Sequence, residues 1–230
     1  MLLFILISSI FSSVSAHTLY INTGWTPPVS TLLGNIIGAI FQRAGITLEF
    51  KIMPAERSLT LVARGIDDGE CCRIPKAIAR DYPDLLQVPE IVYTAKFSAF
   101  AKHPVPEIKN FDDLRPYSVG TIAGWKILVN NLKRVDPQVL HIMDNPKSMF
   151  RILQKDRIDI ATFGYLSGLK TLSELGLNDI EAIQPPLASA PLYLYLHKKN
   201  KAYIPALTKA LKELKAEGEI DRIIQQSSRF

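Results

Sequence analysis

The chain has 230 residues, of which 47% are hydrophobic and 21% charged, with 27 Lys and Arg against 22 Asp and Glu. This length suits one large domain or two small lobes, each big enough to bury its own core. The net charge of +5 is unclustered, which excludes the basic patch of a nucleic-acid binder and slightly favours anionic ligands.

Met1 to Ala16 is an apolar run followed by small residues, with Val14 and Ala16 at the positions a signal peptidase reads. It carries no Lys or Arg, and it is too short and too broken by serines to span a bilayer. The expectation is export to the periplasm, with residues 1–16 removed and 214 residues (230 minus 16) starting at His17. No later stretch reads as a membrane helix.

Thr18 to Thr23 predicts a strand, and Gly24-Trp25-Thr26-Pro27-Pro28 a loop that cannot continue it. Leu32, Leu33, Ile36, Ile37, Ile40, Phe41 and Ala44 recur at helical spacing, with Ser30 or Thr31 as the expected N-cap and Gly45 as the stop. A second unit follows in the strand Thr47 to Met53 and a helix near Ser58 to Arg64. A third comprises the strand Gly69 to Ile74 and a short helical patch from Lys76 to Arg80. Strand and helix alternate, which argues for a parallel sheet with helices on its faces.

The third unit holds the only two cysteines, Cys71 and Cys72. An oxidising compartment favours disulfides, but neighbours on a strand point to opposite faces, so joining them needs a strained turn. Two unpaired, partly buried thiols are therefore expected, with an intermolecular bridge as the other option.

Ile91 to Lys102 is a long extended run, broken by His103-Pro104-Val105-Pro106, and Phe111-Asp112-Asp113-Leu114 opens a second alternating series. Strands are predicted at Tyr117 to Ile122, Val139 to Met143 and Ile158 to Phe163. Helices are predicted at Trp125 to Arg134, Pro146 to Gln154 and Tyr165 to Leu175. After Gln184-Pro185-Pro186, a second extended run from Leu192 to His197 is placed to carry the chain back. Ile204, Leu207, Leu211 and Leu214 then mark an amphipathic helix ending at Gly218. Two crossing strands between two α/β lobes make a hinge with a cleft.

Charges and glycines concentrate in Glu56-Arg57-Ser58-Leu59 and in Gly65 to Arg73. An arginine at the carboxyl end of a strand in an open α/β domain lies where small anionic ligands bind, and its guanidinium can hold a carboxylate through two parallel hydrogen bonds. Arg73 has that position. Its other reading is an ion pair with Glu56, Glu70 or Asp68.

In this order the parts resemble a periplasmic solute-binding protein of the kind that serves amino-acid ABC transporters, the bacterial extracellular family 3 group. The resemblance covers nearly all of the chain after Ala16. It rests on the aromatic-Pro-Pro loop at Trp25 to Pro28, the Arg-Ser-Leu helix at Arg57, and the Gly-x-x-Asp-Gly-Glu-x-x-Arg segment ending at Arg73. Asp113-Leu114, the stretch Leu153 to Asp159 and the tail Leu211 to Ile223 complete it. These motifs are more specific for the fold than for the ligand.

The resemblance implies a two-lobed α/β type II periplasmic-binding fold, each lobe a mostly parallel sheet with flanking helices, joined by two hinge crossings. Lobe 1 would comprise 17–97 with 190–230, and lobe 2 would comprise 98–189. It further implies a monomer that captures a small anionic or zwitterionic ligand by hinge closure and presents it to a membrane permease or sensor, with no cofactor. Arg73 matches the family arginine that binds the ligand carboxylate. Thr121 and Gly124 lie in the second-lobe turn whose amides can hold an anion, and Trp25 and Trp125 can stack on the ligand. The family's second-lobe aspartate, which holds an ammonium group, has no counterpart here, because the stretch after Asp159 offers Phe163, Gly164 and Tyr165. Glu56 or Glu70 can take that role, or the ligand is an organic acid or aromatic compound.

Phosphate-loop, His-Glu-x-x-His and Gly-x-Ser-x-Gly patterns are missing, and His103, His141 and His197 stand singly, so neither catalytic nor metal-binding residues are expected. The competing expectation is an exported enzyme on the same scaffold, similar to the cyclohexadienyl dehydratases, with Glu56 or Glu70 as acid or base.

Overall fold

Apolar alternation makes β1 (Thr18–Thr23), and Pro27-Pro28 turns the chain into α1 (Val29–Arg43). The computed structural model describes residues 18–78 and 80–229, so the expected signal segment and His17 lie outside the described residues. Leu32, Leu33, Ile36, Ile37, Ile40 and Phe41 fill one face of α1 and are buried, each contributing roughly 2 kcal/mol of apolar transfer. The helix starts ahead of the expected caps: Pro28 occupies the N-cap position, and no side chain caps the helix there. A proline tolerates this place because its fixed φ already suits a helix start.

Next come β2 (Thr47–Ile52), α2 (Ala55–Ala63), β3 (Gly69–Arg73), the single turn α3 (Pro75–Ile78), β4 (Leu85–Gln87) and the long β5 (Tyr93–Lys102). A 3-10 turn at Phe111–Leu114, closed by a capping box from Asn110 and Asp113, leads into the second series. That series runs β6 (Ser118–Ile122), α4 (Lys126–Val135), β7 (Val139–Met143), α5 (Pro146–Gln154), β8 (Ile160–Gly164), α6 (Tyr165–Leu175) and β9 (Ile180–Ala182). The chain closes with β10 (Ala188–His197), a 3-10 segment at Lys198–Tyr203, α7 (Ile204–Ala216) and α8 (Glu219–Ser227).

Strand order is β2-β1-β3-β10-β5-β8-β6-β7, with β4 added to β10 and β9 to β5. β1 lies parallel to β2 and β3, and β6 lies parallel to β7 and β8. Between these two parallel sets run β10 and β5, antiparallel to each other and to their neighbours. Each belongs to both lobes: Tyr193 to Leu196 of β10 pair with β3, whereas Ala188 to Leu192 pair with β5. These are the two hinge crossings, and they hold the carboxyl ends of both parallel sets toward one cleft.

One expectation is overturned. Cys71 and Cys72 are joined by a disulfide, and the peptide bond between them is cis. The expectation assumed a trans strand, in which successive side chains diverge. A cis peptide brings the two Cα atoms to 3.0 Å and sets both sulfurs on one side. Both residues are buried in the core that includes Leu19, Ile21 and Leu194.

Candidate functional site

The cleft between the lobes has a volume of about 510 Å³. Gly24, Trp25, Arg73 and Ile74 line it from lobe 1, Phe97 from the hinge strand β5, and Ala123, Gly124, Trp125, Lys126 and Ile127 from lobe 2.

The lobe 1 wall is assembled by close backbone approach. Gly24 follows β1, and a Cβ there would lie 2.6 Å from Ala55 Cα and 2.7 Å from Arg73 Nη2, so only glycine lets the loop pass. The Trp25 indole N–H donates to the Cys72 carbonyl at 2.8 Å, which ties the aromatic loop to β3. Arg73 ends that strand with its side chain 18% exposed. Its Nε donates to Glu70 Oε1 at 2.7 Å and its Nη2 to the Ala55 carbonyl at 3.2 Å. Nη2 also lies 2.6 Å from Glu70 Oε1, so Nε and Nη2 are committed to protein partners while Nη1 takes no part in these contacts.

Glu70 is fully buried behind the arginine. Its carboxylate also accepts hydrogen bonds from the Ser58 hydroxyl and the Gly24 amide. Burial pushes its pKa up to about 7, against the opposing pull of Arg73 and these donors. Arg73 is therefore pre-oriented by an acid that solvent does not reach.

The lobe 2 wall is aromatic and basic. Trp125 precedes α4 and packs against Phe163 at 4.8 Å between centroids, Phe97 at 5.7 Å and, across the cleft, Trp25 at 6.4 Å. Its far ring edge covers Gly164, where a Cβ would lie only 2.6 Å from Cη2. Gly124, with φ +84°, makes the turn into the helix. Lys126 stands exposed in the first turn of α4, where a cation opposes the helix dipole. With Arg73 it gives the cleft two cations and, among the described lining residues, no carboxylate.

Of the sequence candidates, Trp25, Arg73, Gly124 and Trp125 meet in the cleft. Glu70 stands one layer behind. Glu56 and Arg57 are exposed on α2 and are not among the lining residues. The Thr121 side chain is buried, with its hydroxyl 3.4 Å from the Thr162 carbonyl, and Tyr165 lines a separate cavity with Tyr93 and Ile224. Sequence reasoning missed Gly24, Ile74, Phe97, Ala123, Lys126 and Ile127. A lysine against the dipole at a helix start was the one legible signal.

Among the described residues no helix is long and apolar enough to cross a membrane, and no group of three or more His, Cys, Asp or Glu is placed to hold a metal ion.

No family model matches the chain. An uncharacterized protein of Shewanella oneidensis is 28% identical over 188 residues, 80% of this chain and 70% of that one. Among solved structures, the probable amino-acid ABC transporter extracellular-binding protein ytmK from Bacillus subtilis superposes with a TM-score of 0.73 at 15% identity, over 90% of this chain and 96% of that one. The ligand-binding core of GluR0, solved with L-glutamate, gives 0.72 at 13% identity over 94% and 100%. At such identities the likeness carries the fold: the chain is a two-lobed α/β protein with the type II periplasmic-binding architecture.

Proposed function

We propose that this protein is an exported solute-binding protein that captures a small carboxylate-bearing molecule between its lobes by hinge closure. The observation that carries the reading is Arg73, fixed by buried Glu70 at the end of β3 and lining an interlobe cleft whose other charged wall residue is Lys126. Closure follows from differential affinity: lobe 1 holds the anion, and lobe 2 adds Lys126, the α4 amino end and Trp125 only when the lobes meet. The closed form is then read by a membrane permease or a membrane sensor, and the protein works as a monomer in the periplasm. The likeness to ytmK, a probable amino-acid ABC transporter extracellular-binding protein, and to the GluR0 core, solved with L-glutamate, supports a small-molecule ligand.

Binding is preferred to catalysis because an acid or base must touch its substrate. Glu70 is sealed behind Arg73, and Glu56 lies outside the cleft lining.

Arg73→Ala is expected to weaken a carboxylate ligand at least tenfold, since a charge-assisted pair is lost. Calorimetry of wild type and variant with one ligand checks this, and equal affinities overturn the assignment.

A further inference from the structure

We infer that the ligand is an aromatic monocarboxylate without an ammonium group, and that the Trp125 indole lying over Gly164 sets this selectivity. The inference rests on reading the cleft as a carboxylate site and adds what the rest of the ligand is.

The first argument is electrostatic. An ammonium group taken into a cleft needs an anionic acceptor to offset its desolvation. The described cleft wall offers Arg73 and Lys126, both of the wrong sign. The nearest acid, Glu70, is fully buried and already bonded to Arg73, Ser58 and Gly24. Asp68 is held by Asn200 and Lys199 at the amino end of β3, the end opposite Arg73, and Glu56 is exposed on α2.

The second argument is steric. Gly164 ends β8, which runs parallel to β6, the strand that leads into the Trp125 turn. A Cβ at Gly164 would lie 2.6 Å from Trp125 Cη2 and 2.8 Å from Cζ3, closer than real contacts allow. The indole edge thus occupies the space that an acidic side chain at Gly164 would need. Phe163, Phe97 and Trp25 hold the indole through ring contacts of 4.8, 5.7 and 6.4 Å. Together Trp25, Phe97 and Trp125 form one apolar wall from lobe 1 through the hinge strand to lobe 2. Such a wall suits edge-to-face packing with a ring, and about 510 Å³ accommodates a one-ring or two-ring acid.

The test uses matched probes that differ only in the ammonium group: 3-phenylpropionate against phenylalanine, and indole-3-propionate against tryptophan, by calorimetry on the purified chain. The deaminated member of each pair should bind at least tenfold more tightly, and hexanoate should bind more weakly than 3-phenylpropionate. An amino acid that binds as well as its deaminated partner overturns the inference while leaving carboxylate capture standing. Hexanoate matching 3-phenylpropionate overturns the aromatic part in the same way. If none of these and no wider set of organic acids binds, the proposed function falls too.

Gly164→Asp in a Trp125→Ala background, with its fold checked by circular dichroism, supplies the missing acceptor in the space the indole vacates and should lower the 3-phenylpropionate to phenylalanine affinity ratio at least fivefold relative to Trp125→Ala alone. An unchanged ratio removes Trp125 and Gly164 as the source of selectivity.

Discussion

The two walls of the cleft are built from opposite materials. Lobe 1 buries polar groups in bonded sets: Glu70 with Arg73 and Ser58, Asp68 with the Tyr20 amide and Asn200, and Asn22 with Asp67. Lobe 2 buries rings: Phe100 meets Phe150 edge-on at 5.3 Å, Phe150 lies 6.5 Å from Phe163, and Phe163 supports Trp125. A bonded polar set fixes the direction of a donor, which charge recognition requires. A ring cluster fixes a surface and tolerates different shapes upon it. On the proposed reading, lobe 1 anchors the charge and lobe 2 seats the ligand body, and the two walls already meet where Trp25 and Trp125 stand 6.4 Å apart.

Each material can be removed in turn, and the largest effect should come from the aromatic side. Phe150 is fully buried between Phe100 and Phe163, so Phe150→Ala should destabilise the protein by about 3–5 kcal/mol in denaturant titration. A loss below 1 kcal/mol would mean that the ring cluster does not hold lobe 2 together.

The polar side should answer to pH. Glu70 has its pKa raised from 4.5 to about 7 by burial, so the folded state holds this proton more tightly than the unfolded chain does. Its contribution favours folding fully below pH 4.5, fades as pH rises, and is gone above about 7, a swing on the order of 3 kcal/mol at most. Wild type should therefore lose stability relative to Glu70→Gln between pH 5 and pH 8, read as urea midpoints. A pH-independent difference would show that Glu70 keeps one charge state. Protonation also frees the Arg73 charge, so affinity for an anion should rise as pH falls from 8 to 6.

The smallest effect belongs to Lys126, which is exposed. Lys126→Ala should weaken carboxylate binding about threefold at low salt, and the difference should fade at high ionic strength. A loss as large as that of Arg73→Ala would make lobe 2 an equal partner in charge recognition.

Elements with strong periodicity and clear stops were legible in the sequence. β7, α5 and α6 have the predicted bounds, because Asn145 and Pro146 start one helix and Gly176, with φ +65°, stops the other. β4 and β9 escaped prediction because each is three residues long and exists only through pairing with β10 or β5. α8 read as part of a tail, since Gly218 breaks it from α7 and Ile220 is its one buried residue.

At the site, strand ends announced Trp25, Arg73 and Trp125, but not which side chains turn inward. Thr121 illustrates the limit: it lies on a strand leading to the cleft, yet its side chain points to the sheet interior. The Cys71–Cys72 bridge depends on a cis peptide, which nothing in the local sequence specifies.

The aromatic wall also makes the molecule its own instrument. Trp25 and Trp125 are the only two tryptophans in the chain, one on each lobe, and both line the cleft. The whole indole emission of the protein therefore originates at the junction between the lobes. Opening, closing or filling the cleft changes the surroundings of both emitters at once, so titration and closure kinetics can be followed without an added label.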